Sequence, residues 1–237
     1  MAAVTHARVA TSRRGRSTGW WSKAWLRAVE EAAYGEADLR RGRSIARSGK
    51  VGAVTVEGGA FVAAVEEGDD AHTVSGTVET WDDVSTSTLV EIVAAQSGRV
   101  TALLAGELPL SLVEDAEEGG VELVPYAGEL GATCTCQAWL DPCPHALAVL
   151  TVLAHLLDRD PLVLFHLRGL DREQLLARLH ARTAEPVGDR APADADGHEA
   201  PDADEEQDLD VGLDAVLRAQ RLLELVARGD AATEHLF

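Results

Sequence analysis

Catalytic motifs are what this sequence lacks first. It has no G-x-x-x-x-G-K-S/T or G-x-G-x-x-G to cradle a phosphate, no G-x-S-x-G nucleophile turn and no H-E-x-x-H helix. No constellation of residues stands behind an enzymatic activity, so a noncatalytic protein is expected. Long apolar runs are also missing. The longest, Ala146 to Leu157, contains His155 and falls short of the ~18 to 20 residues a membrane helix needs. The first sixteen residues are basic but have no apolar segment behind them, so no secretory signal is read and the expected compartment is the cytoplasm. Lysine is nearly absent: Lys23 and Lys50 are the two among 21 basic residues. That pattern follows a GC-rich genome and says little about function. Nothing repeats at a fixed period.

Acid outweighs base, with a formal charge of −19 over 237 residues. The balance is uneven. Residues 1–50 hold eleven Lys/Arg against four Asp/Glu, and the rest holds ten against thirty-six. Phosphate repels an acidic chain, so only the basic N-terminal end escapes the objection to nucleic-acid binding.

Hydrophobic residues make up 46% of the chain, enough for a core over most of its length. Residues 1–18 read as a disordered basic tail, with order beginning at Gly19. Trp21, Trp25, Ala28, Val29 and Ala32 recur at helical spacing, and a second helix is predicted over Glu36 to Ser48. Beyond Gly49 the apolar period shortens. Short β-branched runs punctuated by Gly58-Gly59 and Gly68-Asp69-Asp70 predict an antiparallel meander of three strands. Asp82 and Asp83 are placed to cap a helix to about Ala95, with short helices following near 100–105 and 110–117. Val121 to Val124 and Gly131 to Cys134 read as extended. Pro144 to Asp158 is predicted as a helix with proline in its first turn, and helical character continues over 163–168 and 172–182. An acidic disordered linker is expected over 184–208 and an amphipathic C-terminal helix over 209–228. The predicted fold class is α+β: a small antiparallel sheet packed on helices, over 19–183.

All three cysteines lie within ten residues, as Cys134-Thr-Cys136-Gln-Ala-Trp-Leu-Asp-Pro-Cys143-Pro-His145. A clustered, odd set in a reducing compartment argues for metal or catalysis over disulfides. Structural zinc takes four thiolate or imidazole donors at tetrahedral corners. On a strand, Cys134 and Cys136 share a face. The loop doubles back, Cys143 stands before the helix and His145 in its first turn, where the helix N-terminus favours the Cys143 thiolate. One structural zinc ion on Cys134, Cys136, Cys143 and His145 is the reading. The plainer one is three buried cysteines and an unrelated histidine. A hydrolase or redox enzyme using the cysteines is a further alternative. It wastes thiols and leaves only Asp141 nearby to orient a base.

Cys-x-Cys, a loop, then Cys-x-His before an apolar helix resembles the SWIM zinc finger. The flanks GWWSKAWLRAVEE, LRRGRSIARSGKV, LLAGELP and LAHLLDRDPLVLFHLRG resemble, in the same order, a bacterial family containing that finger. The resemblance runs from Gly19 to Ala181, with the finger at 131–158. It departs in two places: Pro144 stands where a basic residue is common, and Gln137-Ala138-Trp139 replaces a more polar loop. The resemblance implies zinc binding, contact with protein or nucleic acid, and association with Swi/Snf-type helicase ATPases. The function expected from it is a noncatalytic adaptor. Direct DNA or RNA binding is the first alternative, through Arg40, Arg41, Arg43 and Arg47 and the N-terminal tail. Against it stands a solvated helix face with ion pairs to Glu36 and Asp38. Two of Trp20, Trp21 and Trp25 read as core residues anchoring the first helix to the sheet before the three read as a base-stacking platform. His155, His166 and His180 read as packed or surface residues, and His72 has no role assigned.

Overall fold

The computed structural model describes residues 2–9 and 19–184. Beyond residue 184, the expected acidic linker and C-terminal helix lie outside the described residues. The fold is α+β. Among the described residues it holds one five-stranded antiparallel sheet and eight α-helices.

The meander forms β2 (Val51–Glu57), β3 (Ala60–Glu67) and β4 (Asp70–Thr77). Glu57 pairs with Ala60 across a two-residue turn. Both turn residues, Gly58 and Gly59, have positive φ, the geometry that matches strand twist and that glycine adopts without steric cost. The apolar face carries Val54, Val56, Phe61, Ala63, Val65 and Val74, all buried.

Two strands flank the meander. At one edge β5 (Gly131–Cys134) pairs with β4, bringing Cys134 opposite Val74. At the other edge, β1 (Val4–His6) pairs with β2. This corrects the expectation that order begins at Gly19. Val4 and Thr5 are β-branched, and the unpaired edge of β2 offers a ladder of backbone groups. Thr5 and Thr55 hydroxyls meet at 2.9 Å, Arg8 pairs with Glu66, and Val9 is buried. The basic composition of the tail outweighed this short β signal.

The helices follow the predicted periods: α1 (Trp20–Ala32), α2 (Glu36–Arg47), α3 (Asp83–Ala94), α4 (Ser97–Leu104) and α5 (Leu110–Glu118). Asp82 caps α3 by accepting from the Ser85 N–H at 2.7 Å. After β5 come α6 (Pro144–Arg159), α7 (Leu162–Leu167) and α8 (Arg172–Ala184). Val121 to Val124, expected to be extended, forms no strand. Its carbonyl groups are taken by side chains: Trp81 Nε1 donates to Glu122 O at 2.9 Å and the buried Arg168 to Leu123 O at 3.4 Å.

Helix α6 is the centre of the core. It touches β2 to β5 on one side and α1 and α2 on the other. From His145 to Leu157, every residue but His155 is buried, as an all-round apolar helix requires. Helix α1 is fastened to it by side-chain donors. Trp25 Nε1 reaches Leu150 O, Ser22 Oγ reaches Ala154 O and Trp21 Nε1 reaches Leu157 O, at 2.9, 2.7 and 2.7 Å. Trp21 and Trp25 are therefore core anchors. Against α2, Gly42 makes the close approach: a Cβ there would sit 2.8 Å from Leu147 Cβ and 3.0 Å from Pro144 O. No helix among the described residues is long and apolar enough to cross a membrane.

Candidate metal centre

Three pieces of backbone deliver the four candidate ligands. Cys134 ends β5, held by pairing with β4. The strand stops there, and Thr135 N donates to Thr73 O at 3.0 Å, carrying Cys136 past the strand end beside β4. The loop 137–142 returns the chain. Cys143 is the N-cap of α6, its Sγ accepting from Ala146 N at 3.5 Å, and His145 lies in the first turn.

The ligand atoms of Cys134, Cys136, Cys143 and His145 lie within 4.8 Å of one another. Cys136 Sγ and Cys143 Sγ are 3.5 Å apart, and Cys134 Sγ is 3.9 Å from His145 Nδ1. A tetrahedral zinc ion with its usual bond lengths sets such edges at about 3.6 to 3.8 Å. The separations fit an ion and are far too long for a disulfide, so the thiols are free. Cys143 and His145 are buried, which shields the site from water.

Burial pushes the Cys134 thiol up to about 12. It pushes the Cys143 thiol up as well, against the opposing backbone N–H groups of Ala146 and His145. The helix N-terminus was expected to favour the Cys143 thiolate. It acts in that direction, but burial dominates until a cation is present. Burial also lowers the His145 pKa, favouring the neutral imidazole a metal requires, although the Glu67 carboxylate opposes the shift.

Residues 115–154 match the SWIM zinc finger family. The chain carries a SWIM zinc finger. One structural zinc ion is the cofactor that fits both this family and the three-sulfur, one-nitrogen donor set. An uncharacterized protein of Mycobacterium tuberculosis is 33% identical over 179 residues, covering 73% of this chain. The match spans 64% of that protein's length. No solved structure matches the chain.

Around the SWIM finger stand two residues that sequence reasoning did not place there. Glu67 Oε2 lies 3.2 Å from His145 Nε2 and 3.4 Å from His72 Nε2. The His72 and His145 rings sit 4.7 Å apart. No local motif marks Glu67 or His72. Only the pairing of β4 with β5 brings their hairpin to the finger. The basic residues of α2 are dispersed among acids. Arg41 pairs with Glu67, Arg43 with Glu30, and Arg40 with Glu36 at 3.9 Å. Glu36 and Asp38 were the expected partners for the stripe; Glu36 is one, and Glu30 and Glu67, from α1 and β3, were not expected. Arg47 is exposed at the end of α2. At the loop tip Trp139 is 100% exposed and Leu140 52%.

Proposed function

We propose that this protein is a noncatalytic adaptor. Its α+β domain, which takes in β1 as well as the elements from α1 to α8, is stapled by one zinc ion on Cys134, Cys136, Cys143 and His145. The observation that carries this is the four-donor cluster joining the end of β5 to the start of α6. Four protein atoms complete a tetrahedron and leave no corner for a catalytic water. Thiols pushed up by burial are poor nucleophiles, which weakens the hydrolase and redox readings. Free, closely spaced cysteines suit a reducing cytoplasm.

The adaptor's contacts are with protein on this reading. A fully exposed Trp139 beside Leu140 at a loop tip has the composition of an interface anchor. The partner proposed is a Swi/Snf-type helicase ATPase, and its support is the resemblance of the finger and its flanks. Direct DNA or RNA binding is the second reading, supported by the basic excess of residues 1–50.

Metal analysis of the full chain tests the staple. One zinc per chain is expected, with the cobalt-substituted protein showing the absorption of tetrahedral thiolate coordination. Cys143→Ala or His145→Ala should lose the metal and several kcal/mol of stability, because a structural zinc's binding energy is folding energy. If either variant keeps one zinc and full thermal stability, the ligand assignment fails.

A further inference from the structure

Neutral imidazole carries one proton on its two ring nitrogens. In His145 the nitrogen facing the sulfurs is Nδ1, 3.9 Å from Cys134 Sγ. For Nδ1 to offer a lone pair to a cation, the proton must reside on Nε2. That nitrogen is buried, in a residue 4% exposed, and has no aligned hydrogen-bond partner. The acceptor at hand is Glu67 Oε2, 3.2 Å away.

The carboxylate is itself held. Arg41 of α2 bonds the other oxygen, Oε1. His72 of β4 approaches Oε2 at 3.4 Å. Glu67 closes β3 at the hairpin, where it pairs with Asp70, so its backbone is fixed by the ladder. Thus α2, β3 and β4 converge on one buried ring of α6.

We propose that Glu67, anchored by Arg41, is a positioning residue for the zinc ligand His145: it accepts the Nε2 proton and so aims Nδ1 at the ion. This rests on the four-ligand reading above. A carboxylate behind an imidazole fixes its tautomer and raises its basicity toward the metal. The cost of removing such a partner is about ten- to hundred-fold in metal affinity. Glu67, His72 and His145 also lie within 4.8 Å of one another, the geometry of a second cation site. Because each histidine can donate to the same oxygen, one carboxylate satisfies both without a second ion.

The experiment is zinc competition against a chromophoric chelator, on the full chain and on Glu67→Ala and Glu67→Gln. Wild type should bind one zinc. Glu67→Ala should still bind one, with affinity lowered about ten- to hundred-fold. Glu67→Gln keeps an acceptor oxygen and should recover part of that loss. Long-range nitrogen–proton NMR of zinc-loaded wild type should find His145 metal-bound at Nδ1 and protonated at Nε2, a readout that holds even if a variant fails to fold. Unchanged affinity in Glu67→Ala, coordination through Nε2, or a second zinc in wild type that Glu67→Ala abolishes would each overturn the proposal. A wild-type chain that binds no zinc would instead bring down the ligand assignment itself, and this proposal with it.

Discussion

The thiols of the finger carry a consequence for pH. Cys134 and Cys143 ionise above their ordinary range in the metal-free protein, because burial penalises thiolate more than the nearby backbone N–H groups, of Cys136 for the one and of the α6 start for the other, reward it. Both are therefore protonated at pH 7, and zinc must displace those protons. His145, shifted downward, is neutral and releases none. Zinc binding at pH 7 should then release about two or more protons, and affinity should fall as pH falls. Calorimetry in buffers of different ionisation enthalpy measures the number; a release near zero means the thiols were already ionised and burial does not dominate. The Cys/His cluster was legible in the sequence because zinc chemistry restricts residue type and spacing over twelve positions. Glu67 was not. A hydrogen bond to a ligand's far nitrogen imposes no spacing, and Glu67 lies in a run of ordinary strand residues brought close only by sheet pairing.

Element packing explains where the finger gets its rigidity. Helix α6 supplies Cys143 and His145 at its first turn, and α2 lies against that turn at Gly42. Glycine within a helix costs about 1 kcal/mol relative to alanine, so Gly42→Ala on a free helix would stabilise. Here the new Cβ meets Leu147 Cβ at 2.8 Å and Pro144 O at 3.0 Å, and Pro144 stands between Cys143 and His145, two of the candidate ligands. Backbone and a branched core side chain have little room to give. The prediction is a net loss of about 1 to 3 kcal/mol, as for other overpacked cores, together with weaker zinc retention. Thermal unfolding with and without chelator measures it, and a Tm that rises would show that the helices separate freely. Element by element, the helices were legible where apolar residues kept a 3.6-residue period, as in α1 and α2. Strand β1 was not legible: three residues have too short a period to register, and their partner edge on β2 exists only once the meander has formed. The segment 121–124 forms no strand for the opposite reason. Its apolar alternation is real, with Val121 and Leu123 buried, but Trp81 and Arg168 bond its carbonyls where a strand would have done so.

For the molecule as a whole, the question is what so acidic a chain can meet. The formal charge of −19 repels phosphate at long range, while the first fifty residues hold the opposite sign. The fold sets acids against that basic segment. Arg40, Arg41 and Arg43 face Glu36, Glu67 and Glu30. Exposed pairs are worth only about 0 to 1 kcal/mol, so pairing alone does not keep Arg40 or Arg43 from a phosphate. Arg41 differs, since its carboxylate also faces His145 and leaving it would disturb the finger. A ligand using the stripe would thus have Arg40, Arg43 and Arg47 to work with. Three phosphate contacts on a duplex give a salt slope of about −2.7, too little to hold DNA tightly against a long-range repulsion. Full-length protein at about 10⁻⁵ M should show no saturable binding to duplex DNA or single-stranded RNA at ~50 mM salt. The comparison is Arg40→Ala/Arg43→Ala/Arg47→Ala, which spares Arg41 and so leaves the Glu67 contact intact. A slope near −3 in wild type that collapses in this triple variant would move the function to the stripe. Binding that survives the triple variant would move it to the basic residues before Gly19. A flat titration in both leaves the exposed Trp139 tip, and a protein partner, as the surface through which this chain acts.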